Sequence, residues 1–175
     1  MKQRKIEMVV GIGLLALLGL WLARSWIVSS SSPASRTGWS PTNAQARLPT
    51  VKLWLGSREL MAEVAREPRE LATGMMFRTN MAPSKTMLFL LPVPGQASFY
   101  MRNTIIPLSC AYIDGEGTIL EVHDMKPKDE APILSATSNI QFVLEVNQGW
   151  FKQNQIGPGT LVRTGKGALR AMKQS

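Results

Sequence analysis

Cysteine and histidine each occur once in these 175 residues, as Cys110 and His123. A lone cysteine excludes an intrachain disulfide, an iron–sulfur cluster and a zinc site built mainly on thiolates. A lone histidine excludes a multi-histidine metal centre, so neither a metal nor a cofactor is expected. No internal repeat is present. The length allows one domain of about 100–150 residues plus an appendage, and is too short for two ordinary domains. With 45% hydrophobic residues the chain is not wholly disordered.

The formal net charge is +8, but the middle of the chain lacks it. Lys2, Arg4, Lys5, Arg24, Arg36 and Arg47 stand against Glu7 in residues 1–47, and Arg163, Lys166, Arg170 and Lys173 face no acid in residues 163–175. Residues 48–162 hold 10 Lys and Arg against 11 Asp and Glu. A nucleic-acid binder usually carries its basic stripe on the folded surface, so no nucleic-acid partner is expected. The C-terminal residues 165–175 read as a basic tail, solvated or drawn to anionic lipid.

From Met8 to Ala23 the chain runs 16 residues without a charge, after Lys2, Arg4 and Lys5. Sixteen helical residues span about 24 Å, and extension through Val28 reaches about 31 Å, enough to cross a bilayer if Arg24 snorkels. Residues 1–28 are therefore expected to be an uncleaved signal-anchor that holds the body on the extracytoplasmic side of a bacterial inner membrane. The alternative is a cleaved signal peptide and a secreted or periplasmic product, although Arg24 and Trp26 suit a cleavage site poorly. Residues 29–49, rich in Ser, Pro, Thr, Asn and Gln, have the composition of a flexible linker.

Residues 50–164 show short apolar runs broken by Gly and Pro. Strands are expected at 51–55, 59–65, 87–91, 97–102, 108–113, 118–123, 140–146 and 160–164. Pro68 opens a short helical stretch that Gly74 ends, and Asn147 caps a helical turn reaching Gln155. The run Met87–Leu91 is continuous, as in a strand covered on both faces. The expected fold class is mainly β, a compact sandwich or barrel-like domain with one or two short helices.

Four strings occur in order: GMMFR (Gly74–Arg78), MLFLL (Met87–Leu91), FYMRNTIIPL (Phe99–Leu108) and LEVNQG (Leu144–Gly149). With them the chain resembles, over about residues 51–164, the bacterial and archaeal family called domain of unknown function 192. The resemblance implies a compact, mainly β, sandwich-like domain, often behind a signal sequence or anchor, and supplies no reaction. Two positions depart from the family's pattern: Ser109 stands where an acidic residue is common, and Thr86 where Gly often precedes the MLF run.

The candidate ligand-binding residues are Arg78, Arg102, Asn103, Thr104 and Glu145. Arg102-Asn103-Thr104 either forms a binding rim or supplies turn chemistry. Glu145 lies in an otherwise apolar strand and, if that face is covered, needs a partner such as Arg78 or Arg102. Pairing Ile113 with Thr118 across the Asp114–Gly117 turn would set Cys110 against Glu121 and diagonal to His123. A Cys–His nucleophile would also need a depressed thiol pKa and an exposed sulfur. Glu121 and His123 share a strand face, short of a catalytic zinc set. Met75, Met76, Met81, Met87 and Met101 cluster, and thioethers either bind Cu(I) or fill an irregular core.

No complete catalytic constellation is present, and no catalytic residue is assigned. The expected function is a membrane-tethered envelope module that binds an unidentified small molecule or envelope protein. The alternative is an envelope hydrolase using Arg78, Asn103 and Glu145 on a polar or anionic substrate.

Overall fold

The computed structural model describes residues 40–174. Its strands are β1 (Thr50–Leu55), β2 (Arg58–Ala65), β3 (Lys85–Gly95), β4 (Ser98–Phe99), β5 (Leu108–Asp114), β6 (Ile119–Met125), β7 (Ile133–Leu134), β8 (Ile140–Asn147), β9 (Val162–Thr164) and β10 (Gly167–Ala168). Helices α1 (Pro68–Thr73) and α2 (Trp150–Gln153) are short. The mainly β class and two short helices agree with expectation. The expected signal-anchor over residues 1–28 lies outside the described residues; among those described, no helix is long and apolar enough to cross a membrane.

Eight strands form one sheet in the order β10-β9-β1-β2-β3-β8-β5-β6, while β4 and β7 form a separate ribbon. All pairings in the large sheet are antiparallel except β2 with β3. That single parallel step requires a crossover, supplied by residues 66–84 with α1. The sheet curls until its ends meet at one corner. Ile119 N–H donates to Thr160 O at 2.9 Å, and Val162 N–H donates to Gly117 O at 2.8 Å. Gly117 sits at this seam with φ +96°, where an added Cβ would come 2.9 Å from the Val162 carbonyl oxygen. Only glycine fits such an approach. The result is a half-barrel.

Inside the curl lies an aliphatic core that includes Leu53, Leu60, Leu88, Ile113, Phe142 and Leu144. Phe151 from α2 and Leu169 join it. Leu169 begins a closing 3-10 helix, Leu169–Gln174. The basic tail expected from residue 165 onward thus starts as structure: β10 extends the sheet and Leu169 is fully buried. The other face of β3, β8 and β5 is also covered, by a cap built from α1 and the segments around β4 and β7. Here Met87, Phe89, Cys110, Tyr112 and Val143 meet Met75, Ala97, Met101 and Ile106. Burial on both faces explains why these strands read as unbroken apolar runs.

The linker expected over residues 29–49 ends earlier than its composition suggests. The Gln45 side-chain amide donates to the carbonyls of Glu70 (3.3 Å) and Gly74 (2.9 Å), and Leu48 N–H donates to Glu63 Oε2 at 2.9 Å. These bonds lay the segment along α1 and β2.

Candidate functional site

The register of the sheet sets one row of side chains across its capped face. Glu63 on β2 faces Met87 on β3, Met87 faces Glu145 on β8, Glu145 faces Cys110 on β5, and Cys110 faces His123 on β6. Directly opposed residues hold their Cβ atoms about 4.5–5.5 Å apart. Two carboxyls, a thiol, a thioether and an imidazole therefore share one line beneath the cap.

The two carboxyls are both buried yet differ in every partner. Glu63 receives a bidentate pair from Arg78, Nη1 to Oε1 and Nη2 to Oε2, each at 2.8 Å. Arg47 adds a third charged bond at 2.7 Å. Burial by itself would raise the Glu63 pKa, but the Arg78 bonds, the Leu48 N–H and Arg47 bring it down to about 2. Glu145 is 5% exposed, and its Oε2 has no hydrogen-bond partner. Burial pushes its carboxyl up to about 8, so it is mainly protonated at neutral pH.

Sequence reasoning expected Arg78 or Arg102 to pair with Glu145, and the structure corrects this. Arg78 is taken by Glu63, because the parallel β2–β3 step brings β2 under the GMMFR loop. Arg102 is exposed, bonded to Glu130 at 3.0 Å and stacked over the Tyr100 ring at 5.4 Å. Asn103 is exposed with φ 55°, and its carbonyl accepts the N–H of Phe77, itself at φ 61°. Thr104 is buried, with its hydroxyl donating to Arg102 O at 3.3 Å. The Arg102–Thr104 turn and the GMMFR loop are thus tied together by backbone. The five candidates do not converge in one open pocket: Arg78, Arg102 and Thr104 make internal bonds, Asn103 lies on the surface, and Glu145 stands alone below.

The LEVNQG string performs similar tying. Asn147 donates to Met81 O at 3.2 Å, Gln148 N–H to Pro107 O at 3.1 Å, and Gly149 N–H to Ser109 Oγ at 2.9 Å. Ser109 in turn donates to the Asp124 carboxylate, which gives this departure from the family pattern a structural partner. The buried Thr86 hydroxyl likewise donates to the Glu145 backbone carbonyl.

The hairpin register also departs from expectation. Tyr112 pairs with Glu121 but Ile113 with Ile119, so Leu120 is an extra residue and Cys110 faces His123 directly. Opposition alone does not make a catalytic pair. Burial and the neighbouring Glu145 push the Cys110 thiol up to about 12, leaving it protonated. His123 Nε2 lies 3.0 Å from Glu121 Oε2, and Glu121 Oε1 accepts the Ala136 N–H. Among the described residues no three of His, Cys, Asp and Glu are grouped to hold a metal ion.

Sequence reasoning missed Glu63, and it singled out Met87 and Cys110 without placing them on either side of Glu145. The sequence signal for Glu63 was slight: Ala65, two residues on and therefore on the same face, is small enough to leave room for a covering loop.

Comparison with known proteins agrees with the fold. No curated protein matches the chain. A protein of Sinorhizobium meliloti 1021, assigned only provisionally as a transcription regulator, is 31% identical with TM-score 0.64, over 69% of this chain and 98% of its own. A Novosphingobium aromaticivorans protein of unknown function is 30% identical with TM-score 0.64, over 76% and 98%. The family model of DUF192, described as "Uncharacterized ACR", matches residues 51–164. This covers both faces of the sheet and all four motif strings, and the chain belongs to the domain of unknown function 192 family.

Proposed function

We propose that this protein is a membrane-tethered, extracytoplasmic binding domain of the bacterial envelope, with residues 8–28 as its anchor and the capped face of the sheet as its ligand-binding element. The observation that carries the binding role is Glu145. A buried carboxyl oxygen without a partner costs free energy. A donor or an ion entering beside the Glu145 carboxyl would satisfy it, whereas the other buried atom without a partner, Arg78 Nε, belongs to a side chain already tied to Glu63. The cap above it is made of loops, one six-residue helix and flexible Met side chains, which can repack around an occupant.

The hydrolase alternative is less well supported. Arg78 is bound to Glu63 rather than free to hold an anion, and the Cys110 thiol is far from the ionised state a nucleophile needs. The envelope placement rests on the apolar run 8–28 and the basic residues before it.

A thermal-shift screen of the full-length chain in mild detergent tests the binding role, using metal ions, nucleotides, sugars and peptidoglycan fragments. One class of compound, well above its dissociation constant, is expected to raise apparent stability by ~2–4 kcal/mol. The response should weaken in Glu145→Gln. A flat response across the panel, with no partner co-purifying from solubilised membranes, would overturn the binding role. Recovery of a soluble protein beginning near Ser31 would overturn the anchor.

A further inference from the structure

Glu145 is flanked on both sides by sulfur. Met87 is directly opposite on β3 and Cys110 directly opposite on β5, and both are fully buried. Two further thioethers, Met75 and Met101, descend from the cap into the same cluster and are 4% and 1% exposed. An aliphatic core needs no such concentration of sulfur, and the opposite face of the same strands has none. The buried side chains of that core are Leu, Val, Ile, Ala and Phe, and its one thioether, Met172, packs against it only partly buried from the closing 3-10 helix. Among the described residues the fully buried sulfur is thus concentrated on the face that also holds the unpartnered carboxyl oxygen.

We propose that Met87 and Cys110, with Met75 or Met101 from the cap, form a binding site for a soft monovalent cation, Cu(I), beside Glu145. This rests on the binding-domain reading above and names its ligand class. Thiolate and thioether donors select Cu(I) over hard ions. A zinc site of His, Cys and carboxylates is not assembled among the described residues, and an oxygen-rich calcium or magnesium site is equally absent there. Charge favours the same ion. One Cu(I) on one Cys110 thiolate is a neutral unit, which an apolar layer accommodates far better than a divalent ion with a single anionic ligand. Glu145 then serves as the polar neighbour of the bound ion. Copper enters already reduced, so no electron moves. The Cys110 S–H bond breaks, a sulfur–copper bond forms, and the proton leaves to solvent.

The test is anaerobic titration of the full-length chain in detergent with Cu(I), against a competing Cu(I) chelator, followed by X-ray absorption of the loaded protein. The expected result is one tightly held Cu(I) per chain with a sulfur-dominated first shell. Cys110→Ser should weaken binding by ~100-fold or more, and Met87→Leu by ~10-fold. Met87→Leu nearly conserves volume and should remain folded, which circular dichroism checks. Met61→Leu, on β2 outside this cluster, should bind like the parent. Absence of stoichiometric binding, a shell of nitrogen and oxygen, or equal affinity in Met87→Leu and the parent would each overturn the site. If Cu(I) does not bind but another compound in the stability screen does, this assignment falls and the binding domain stands. If neither binds, both fall.

Discussion

Glu63 and Glu145 stand two strands apart in the same row, under the same cap, and are about equally buried. One is an anion held by two arginines and the other a mainly neutral acid with an empty oxygen. Their surroundings decide the difference, because burial alone drives both toward protonation. Only Glu63 lies where the 66–84 crossover delivers Arg78 and where the incoming chain delivers Arg47 and the Leu48 N–H. The comparison teaches that burial marks both positions, while partner supply separates a structural tie from a group left available.

The largest expected effect is on the pH dependence of the ligand-free protein. Glu145 has a folded pKa near 8 against an unfolded value near 4.5, so the folded state holds the extra proton between those limits. Its contribution is fully present below about pH 4.5 and is lost as pH rises toward 8, a change of up to about 5 kcal/mol. Urea melts at pH 5, 6.5 and 8 measure it. Glu145→Gln should flatten that limb, and an unchanged slope in the variant would assign the fall to another group.

Arg78→Ala attacks the other end of the row. It leaves Glu63 buried with only Arg47 and the Leu48 N–H, and breaking a buried pair from one side costs about 3–5 kcal/mol. Arg47→Ala should cost under about 1 kcal/mol, because that side chain is 66% exposed. Equal losses in the two variants would show that Arg78 is no anchor. The acid limb is smaller. Glu63 has its pKa depressed to about 2, so its contribution is present above about pH 4.5 and is lost as pH falls toward 2. That loss is about 3 kcal/mol, seen as a falling melting temperature between pH 4.5 and 2.5.

Much of the fold was legible in the sequence because the core strands are apolar on both faces. The runs around Phe89, Ala111 and Val143 announce themselves whatever their order. Glu145 also stood out, as a lone carboxylate in such a run. The rest depended on long-range pairing. The alternation around Glu63 looks like an ordinary solvated face, and only the parallel β2–β3 step places it under Arg78. The turn shifts the pairing by one residue, Ile113 meeting Ile119 and not Thr118, and the extra Leu120 in β6 shifts it by a second, so the expected diagonal of Cys110 and His123 becomes direct opposition. The ribbon of Ser98–Phe99 with Ile133–Leu134 exists because Phe99 and Ile133 pack on the capped face, which two-residue strands cannot signal locally. The C-terminal basic residues concealed Leu169, one apolar side chain that closes the half-barrel.

The smallest expected effect concerns Asn103. Its left-handed backbone suits glycine, and its carbonyl, which accepts the Phe77 N–H at 2.8 Å, survives any side-chain change. Asn103→Gly should therefore shift stability by no more than about 1 kcal/mol in either direction, as unfolded-state entropy trades against relief at positive φ. If Asn103 is only a turn residue, the variant keeps the ligand response of the parent in the stability screen. A response lost at unchanged stability would make the exposed amide a binding group, extending the site from the buried row to the turn above it.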